Sequence, residues 1–338
     1  KVVQRMDEMS GIVLLEHVNV NITNCEECIR FWVGILNGIR HPRSTNHFQI
    51  HVNLGLSQMH LPYADHNLKP TEQGSIPDYS SHKYLGIAQK INGILSFYVK
   101  DIDKVLDCFV SQQYPYKAHE NPVFIETFCP NSNKIRLFQA PLEIQRLYRN
   151  AGGFPGEFDI RNNAESSRTC GIKEVRMFCA KGTAKGIARF YQNTFGIQSI
   201  SIETSSMDNS LFSAVIPVSD VVPQYLIYEE DPQIDKEYEC SLEKKESALE
   251  YYEKNVREHG YHICVYVRNY SAVKSKCKEL DSIWHSDRFQ TLDQYTTETQ
   301  FRMLLITDPD QPQSNRILHV LEHEIRSLDA PQCPLKVQ

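Results

Sequence analysis

The sequence predicts an α+β protein built from four copies of one module, a strand followed by a short helix and further strands, and three observations predict it. The first is a repeat. The apolar strand Leu15-Glu16-His17-Val18-Asn19-Val20 leads into a helix ending Arg30-Phe31-Trp32-Val33-Gly34-Ile35-Leu36-Asn37-Gly38, and Ile172-Lys173-Glu174-Val175-Arg176-Met177-Phe178 leads into one ending Arg189-Phe190-Tyr191-Gln192-Asn193-Thr194-Phe195-Gly196. Both helices set an aromatic pair one turn ahead of an apolar residue and stop at Asn or Gly, which tolerate the left-handed conformation of a helix end. The second is the period-two alternation of the strands that follow, as in Phe48-Gln49-Ile50-His51-Val52-Asn53-Leu54-Gly55, the mark of a half-buried strand. The third is a shared turn: Cys129-Pro130-Asn131 and Asp308-Pro309-Asp310 each precede a closing strand.

Taken in order, the first module spans 12–66 and ends in the strand Ser57-Gln58-Met59-His60-Leu61-Pro62, where the proline stops further pairing. A polar, proline-bearing stretch from Ala64 to Lys83 reads as a connection. The second module spans 84–141, with a strand at Ile94-Leu95-Ser96-Phe97-Tyr98-Val99, a helix from Asp101 to Val110 and a closing strand at Ile135-Arg136-Leu137-Phe138. Residues 142–169, which hold Gly152-Gly153-Phe154-Pro155-Gly156, read as a linker and domain boundary. The third module spans 170–232 and closes on Gln224-Tyr225-Leu226-Ile227-Tyr228-Glu229. Charged residues 233–257 read as a solvated helix with ion pairs at helical spacing. The fourth module, 256–326, opens on Tyr261-His262-Ile263-Cys264-Val265-Tyr266-Val267 and closes on Ile317-Leu318-His319-Val320-Leu321-Glu322-His323-Glu324.

Composition excludes several classes of function. In 338 residues, 42 acidic and 36 basic side chains are spread along the chain for a net charge of −6, so no basic stripe is available to a phosphate backbone and nucleic-acid binding is not expected. The longest apolar run, Ile12-Val13-Leu14-Leu15, is far short of the roughly 20 residues a membrane-spanning helix needs, so a soluble protein is expected. Ten cysteines are too sparse for a disulfide scaffold. Cys25-Glu26-Glu27-Cys28 lacks a second pair to complete a zinc site, and its thiols read as first-turn helix residues with acidity raised by the helix dipole. A cytoplasmic location is the expectation. The start at Lys1 and the sequons at Asn21-Ile22-Thr23 and Asn269-Tyr270-Ser271 make secretion the alternative.

In these modules, and in the segments Ile50-His51-Val52-Asn53-Leu54-Gly55, Gly182-Thr183-Ala184-Lys185-Gly186-Ile187-Ala188-Arg189-Phe190-Tyr191 and Glu322-His323-Glu324-Ile325-Arg326-Ser327, the chain resembles the vicinal oxygen chelate superfamily, which includes glyoxalase I, extradiol dioxygenases, fosfomycin-resistance enzymes and bleomycin-resistance proteins; within it the chain looks like a glyoxalase-like branch. The resemblance implies four βαβββ modules paired into two curved eight-stranded sheets, with a divalent metal in a trough held from the first and last strands of each paired module.

Mapped by position, the resemblance places opening-strand ligands at His17 and His262 and closing-strand ligands at His60 and Glu322, with His319 as an alternative to Glu322 because strand register is not fixed by the sequence. The second and third modules have Ile94 and Glu174 at the opening position, and Arg136 on the second module's closing strand would repel a metal. The usable ligands therefore sit in the outer modules. That favours pairing of the first module with the fourth and of the second with the third, as in relatives similar to monomeric glyoxalases, over the neighbour pairing of extradiol dioxygenases.

Three imidazoles and a carboxylate suit one borderline divalent ion, zinc, iron, manganese or nickel, with a coordination position left open for a substrate bound through adjacent oxygens. The resemblance thus implies a metal-dependent glyoxalase- or dioxygenase-like enzyme acting on a small oxygenated molecule, with the ion as Lewis acid and Glu322 as ligand or proton-accepting base. Asn19, Gln58, Tyr266 and Arg302 sit on strands able to face the trough and orient a polar substrate. With 13 histidines in the chain, the competing reading of each is a hydrogen-bonded, half-buried strand residue. Two further functions compete. One is a non-catalytic protein that sequesters a small molecule, as bleomycin-resistance proteins do. The other is an Fe(II) extradiol-type oxygenase using His262, a carboxylate from the closing strand and, from the third module, Glu174 or Glu229. Four modules in one chain make a monomer sufficient to complete a trough.

Overall fold

The computed structural model describes residues 11–41, 49–63, 87–151, 167–205, 208–255, 260–285, 297–311, 314 and 316–335. The first module consists of β1 (Ile12–Asn19), helix α1 (Cys25–Ile29) continuing into a π-helical turn (Arg30–Ile35), β2 (Ile39–Arg40), β3 (Gln49–Leu54) and β4 (Ser57–Pro62). The second has β5 (Gly93–Val99), α2 (Ile102–Ser111), β6 (Lys117–Glu120), β7 (Val123–Phe128) and β8 (Lys134–Gln139), followed by α3 (Leu142–Ala151). The third has β9 (Thr169–Cys179), α4 (Ala184–Phe195), β10 (Ser201–Thr204), β11 (Phe212–Pro217) and β12 (Tyr225–Glu230), followed by α5 (Lys236–Ser241) and α6 (Lys245–Lys254). The fourth has β13 (His262–Val267), α7 (Tyr270–Glu279), β14 (Gln300–Thr307) and β15 (Ile317–Ser327).

The helix ends follow the local chemistry of the sequence. Asn24 caps α1 by accepting from the Glu27 N–H at 3.0 Å, and Glu26 and Glu27 lie at the positive end of the helix. The π-helical turn then brings Phe31, Trp32 and Ile35 all inward before Asn37 stops the helix at φ +51°. Gly196 does the same for α4 at φ +69°.

The strands form two sheets, ordered β14-β15-β13-β1-β4-β3-β2 and β10-β11-β12-β9-β5-β8-β7-β6. In every module the first and last strands pair in parallel, and two modules join through antiparallel pairing of their opening strands, β1 with β13 and β9 with β5. The outer modules therefore share one sheet and the inner modules the other. Where two eight-stranded sheets were expected, the outer sheet has seven among the described residues. Its eighth position is marked by one bridge, Ile283 to Met303 on β14.

Alternation divides each sheet into two faces. In the outer sheet Val18, Ile50, Val52, Met59, Leu61, Ile263, Val265, Phe301 and Ile325 are buried in one cluster with Phe31, Trp32 and Ile35 of the first helical segment and Tyr270, Val273 and Cys277 of α7. This apolar layer covers one face. The opposite, polar face is left for chemistry.

Three expectations are corrected. Residues 142–169 do not form a domain boundary, because the modules they connect share a sheet; the segment opens on α3, whose buried Tyr148 donates to the Ile172 carbonyl at 2.7 Å, and 152–166 lie outside the described residues. Residues 233–257 are not one solvated helix, since α5 and α6 bury Tyr238 and Tyr252. The Cys28 thiol is pushed up, not down: burial, with Cys129 and Cys25 nearby, outweighs the dipole of so short a helix. None of the ten cysteines is in a disulfide.

β1 pairs with β4 only from His17 to Asn19, which leaves the Leu15 backbone without a strand neighbour on that side. Gln224, 0% exposed and on the approach to β12 of the inner sheet, fills the gap: its Oε1 accepts from Leu15 N–H at 3.1 Å and its Nε2 donates to Leu15 C=O at 2.9 Å. Gln224→Ala strands both Leu15 backbone groups and is expected to cost about 2–6 kcal/mol, from ~1–3 kcal/mol per buried unsatisfied group. Urea unfolding of the two proteins measures this, and a loss under about 0.5 kcal/mol, the range of an ordinary surface substitution, rules it out.

Candidate functional site: the polar trough of the outer sheet

Register brings a continuous polar row across the outer sheet. Arg302 on β14 faces Glu324 on β15, Glu322 and Glu324 pair with His262 and Cys264 on β13, His262 and Cys264 pair with Asn19 and His17 on β1, and those pair with His60 and Gln58 on β4. His51 and Asn53 on β3 extend the row. A bulge at Glu16, where Leu15 and His17 oppose the consecutive residues Val265 and Cys264, puts an extra carboxylate beside His17.

His17 is at the centre, with no exposure. Its Nδ1 lies 2.8 Å from Glu16 Oε2, and its Nε2 has no hydrogen-bond partner, the nearest carboxylate oxygen being Glu324 Oε2 at 3.8 Å. Glu16 also accepts from Arg326 Nη1 at 3.3 Å. Burial alone would raise the Glu16 carboxyl, but His17 and Arg326 hold it below its ordinary range. The His17 ring stacks on His60 at 3.6 Å, and His60 stacks on His51 at 3.8 Å, so imidazoles run from the middle of the sheet towards half-buried His51. His262 meets His17 edge-on at 5.6 Å.

The carboxylates are already matched by cations. Arg302 donates to Glu322 Oε1 and, at 2.7 Å, to Glu324 Oε2, while Arg326 takes the other oxygen of Glu324. Tyr252 of α6 donates to Glu322 Oε2 at 3.3 Å. Burial works against ionisation of Glu324, yet Arg326 and Arg302 outweigh it and hold this carboxyl well below its usual range. Both arginines are correspondingly pushed up.

The expected metal can be tested against these donors. Among the described residues two trios bring donor atoms together: Glu16, His17 and His60, and His17, Cys264 and Glu324. In the first, Glu16 is occupied as the hydrogen-bond partner of His17, and His60 Nε2 lies 2.9 Å from Gln58 Oε1. In the second, burial keeps the Cys264 thiol protonated and two guanidinium groups hold Glu324. His17 Nε2 has no hydrogen-bond partner. The same Glu324 oxygen that lies 3.4 Å from His262 Nε2 is bonded by Arg302, so an ion among these imidazoles would sit against a guanidinium. As arranged, the donors do not fit a divalent ion.

All four expected ligands, His17, His60, His262 and Glu322, do reach this one trough, on four adjacent strands. Glu322 lies under Arg302 and Tyr252, not open as a base. His319, its alternative, faces away and meets Tyr238 Oη at 3.1 Å. Of the residues expected to orient a substrate, Gln58 is taken up by Asn53 and His60, Tyr266 by Arg326, and Arg302 by the two glutamates. Asn19 keeps an unpartnered amide nitrogen. Glu16, Glu324 and Arg326 were missed. Glu324 and Arg326 follow from Glu322 by strand alternation, but Glu16 was hidden because unbroken alternation sends it to the face opposite His17.

The inner trough carries a different set. Glu174 and Ser96 stand where the outer sheet has His17 and Cys264, and Arg136 stands where it has Glu324. Lys173 contacts Glu174 at 2.5 Å and Arg176 pairs with Glu229. Glu174 and Glu229 thus lie on the other sheet from His262, which removes the ligand set of the extradiol-type alternative.

No family model matches the chain and no curated protein matches it. Solved structures do. A single-residue variant of glyoxalase I from Zea mays superposes with a TM-score of 0.52 at 9% identity over 96% of this chain and 96% of that one. Unaltered Zea mays glyoxalase I gives 0.51 at 9% identity over 93% and 92%. A Bacillus subtilis protein, described as a dioxygenase by inference, gives 0.51 at 10% identity over 95% and 87%. The chain shares the fold of glyoxalase I along nearly its whole length. At these identities the likeness establishes fold and leaves activity to the site. No helix among the described residues is long and apolar enough to cross a membrane.

The histidine stack predicts a pH dependence. Burial, reinforced by His17 and His41, lowers His51 from 6.5 to about 4. The unfolded chain therefore takes this proton first: the contribution is complete above pH ~6.5 and is lost as pH falls towards ~4. Wild-type protein should lose urea stability between about pH 7 and 4.5, and His51→Gln should lose less. Equal losses in the two proteins would remove His51 as a cause.

Proposed function

We propose that the outer trough is the active site of an enzyme that moves a proton on a small oxygenated molecule, with His17 as the base and Glu16 as the group that orients it. One observation carries the reading: a wholly buried imidazole with one nitrogen fixed by a carboxylate and the other unpartnered. That is the arrangement of a base held in one tautomer, and its carboxylate can stabilise the imidazolium that forms when the base takes a proton. The role expected for Glu322 passes to His17 because Glu322 is committed to Arg302 and Tyr252.

The substrate class follows from the lining. Asn19 on β1 and Asn53 on β3 each have an amide nitrogen without a partner, donors suited to the carbonyl or hydroxyl oxygens of a small molecule. His17 Nε2 would take a proton from the carbon beside the carbonyl, the charge would move onto the carbonyl oxygen, which a trough amide such as that of Asn19 would hold, and return of the proton to the same or neighbouring carbon completes exchange or isomerisation. A metal-dependent form of the same chemistry draws support from the open His17 nitrogen, but it requires Arg302 to leave the carboxylates. Sequestration without catalysis is the remaining alternative and needs no base at all.

Exchange of carbon-bound hydrogen in D2O, followed by proton NMR over a panel of small 2-oxo and 2-hydroxy aldehydes and acids, tests the reading. Wild-type protein should accelerate exchange of at least one member. His17→Gln should reduce that rate by about 10²-fold or more, the usual share of a general base, with circular dichroism unchanged. Glu16→Gln should reduce it less and move the pH profile. A wild-type protein that exchanges no member of the panel defeats the proposal.

A further inference from the structure

We infer that Arg302 holds the position of the divalent cation, so that the outer trough is closed to a metal by a cation the chain itself supplies. Its guanidinium bridges Glu322 and Glu324, the two carboxylates that share the trough with His262 and His17, and it is 5% exposed. The Glu324 oxygen it binds is the one nearest both imidazoles, 3.4 Å from His262 Nε2 and 3.8 Å from His17 Nε2. A second cation there would place two positive centres side by side among buried groups, whereas one guanidinium satisfies both carboxylates with directed hydrogen bonds.

The inner sheet supplies an independent argument. Arg302 on β14 faces Glu324 on the closing strand β15, and at the equivalent place in the inner sheet Glu126 on β7 faces Arg136 on the closing strand β8. Both are ion pairs, Arg302 Nη2 to Glu324 Oε2 at 2.7 Å and Arg136 Nε to Glu126 Oε2 at 2.9 Å, with the charges exchanged between the strands. The same cross-strand position is thus neutralised from within the chain in both troughs. A metal site needs its carboxylate free. Neither trough leaves that one free.

Removing Arg302 should therefore create a metal site. Full-length wild-type protein, Arg302→Met, Arg302→Lys and the double variant Arg302→Met with His17→Gln are titrated with Zn(II), and with Co(II) read by its visible absorption. Arg302→Met should bind one equivalent at least about 100-fold more tightly than wild type, with Co(II) bands that the double variant loses. Arg302→Lys, which keeps the charge, should behave as wild type. Wild-type protein that binds one equivalent as tightly as Arg302→Met overturns the inference. If Arg302→Met does not fold, wild type and His17→Gln decide the matter: stoichiometric binding by wild type that His17→Gln abolishes overturns it, and no His17-dependent binding upholds it. These titrations need no substrate, so their outcome is separate from that of the exchange experiment.

Discussion

The antiparallel pairing of β1 with β13 is the contact on which the rest of the molecule depends. It joins strands some 250 positions apart in the chain and, with the parallel pairing of β4 to β1 and β15 to β13, places His60, His17, His262 and Glu322 on four adjacent strands. Closing so long a loop has an entropic cost that grows only slowly with its length. What offsets it is the apolar face of the same sheet, where Val18, Met59, Ile263, Val265 and Ile325 pack with residues of the first helical segment and α7. One pairing thus buries a core on one face and gathers a polar row on the other.

That polar row is stable only because its charges compensate. Glu16, Glu322 and Glu324 are each nearly or wholly buried, and each is reached by Arg326 or Arg302. An isolated buried carboxylate would take up a proton instead. The compensation also determines what the trough offers a ligand: Glu322 and Glu324 oxygens already bonded, and a small number of nitrogens that are not, His17 Nε2, Asn19 Nδ2 and Asn53 Nδ2 among them. Donors without partners call for an oxygen-rich guest. The inner trough reaches charge balance with another set, Lys173 with Glu174 and Arg136 with Glu126, and contains no equivalent of His262, since Ile94 stands there.

Much of the architecture was legible because it rests on local chemistry. The helix stops at Asn37 and Gly196 and the strand alternation in β3 can be read from neighbours in the chain, and both hold in the structure. The outer pairing followed from the resemblance, which placed the usable ligands His17, His60, His262 and Glu322 in the first and fourth modules. Less visible were features that depend on a single residue out of step. The bulge at Glu16 turns a residue that alternation sends to the opposite face into the partner of His17. Tyr252 lies in a segment whose charge suggested solvent, yet its hydroxyl reaches Glu322.

By itself the sequence determined the repeating module, its helix boundaries and the residue types able to share a trough, because those depend on side-chain preferences acting over a few positions. Only the tertiary structure decided which of them are free to act. Whether a carboxylate is a ligand, a base or a counter-ion depends on what stands across the strand from it, and Arg302 opposite Glu324 is a relation of register between β14 and β15. Hydrogen bonds across strands are short-ranged and directional, so a shift of one position would exchange the partners and alter the chemistry with no change in composition.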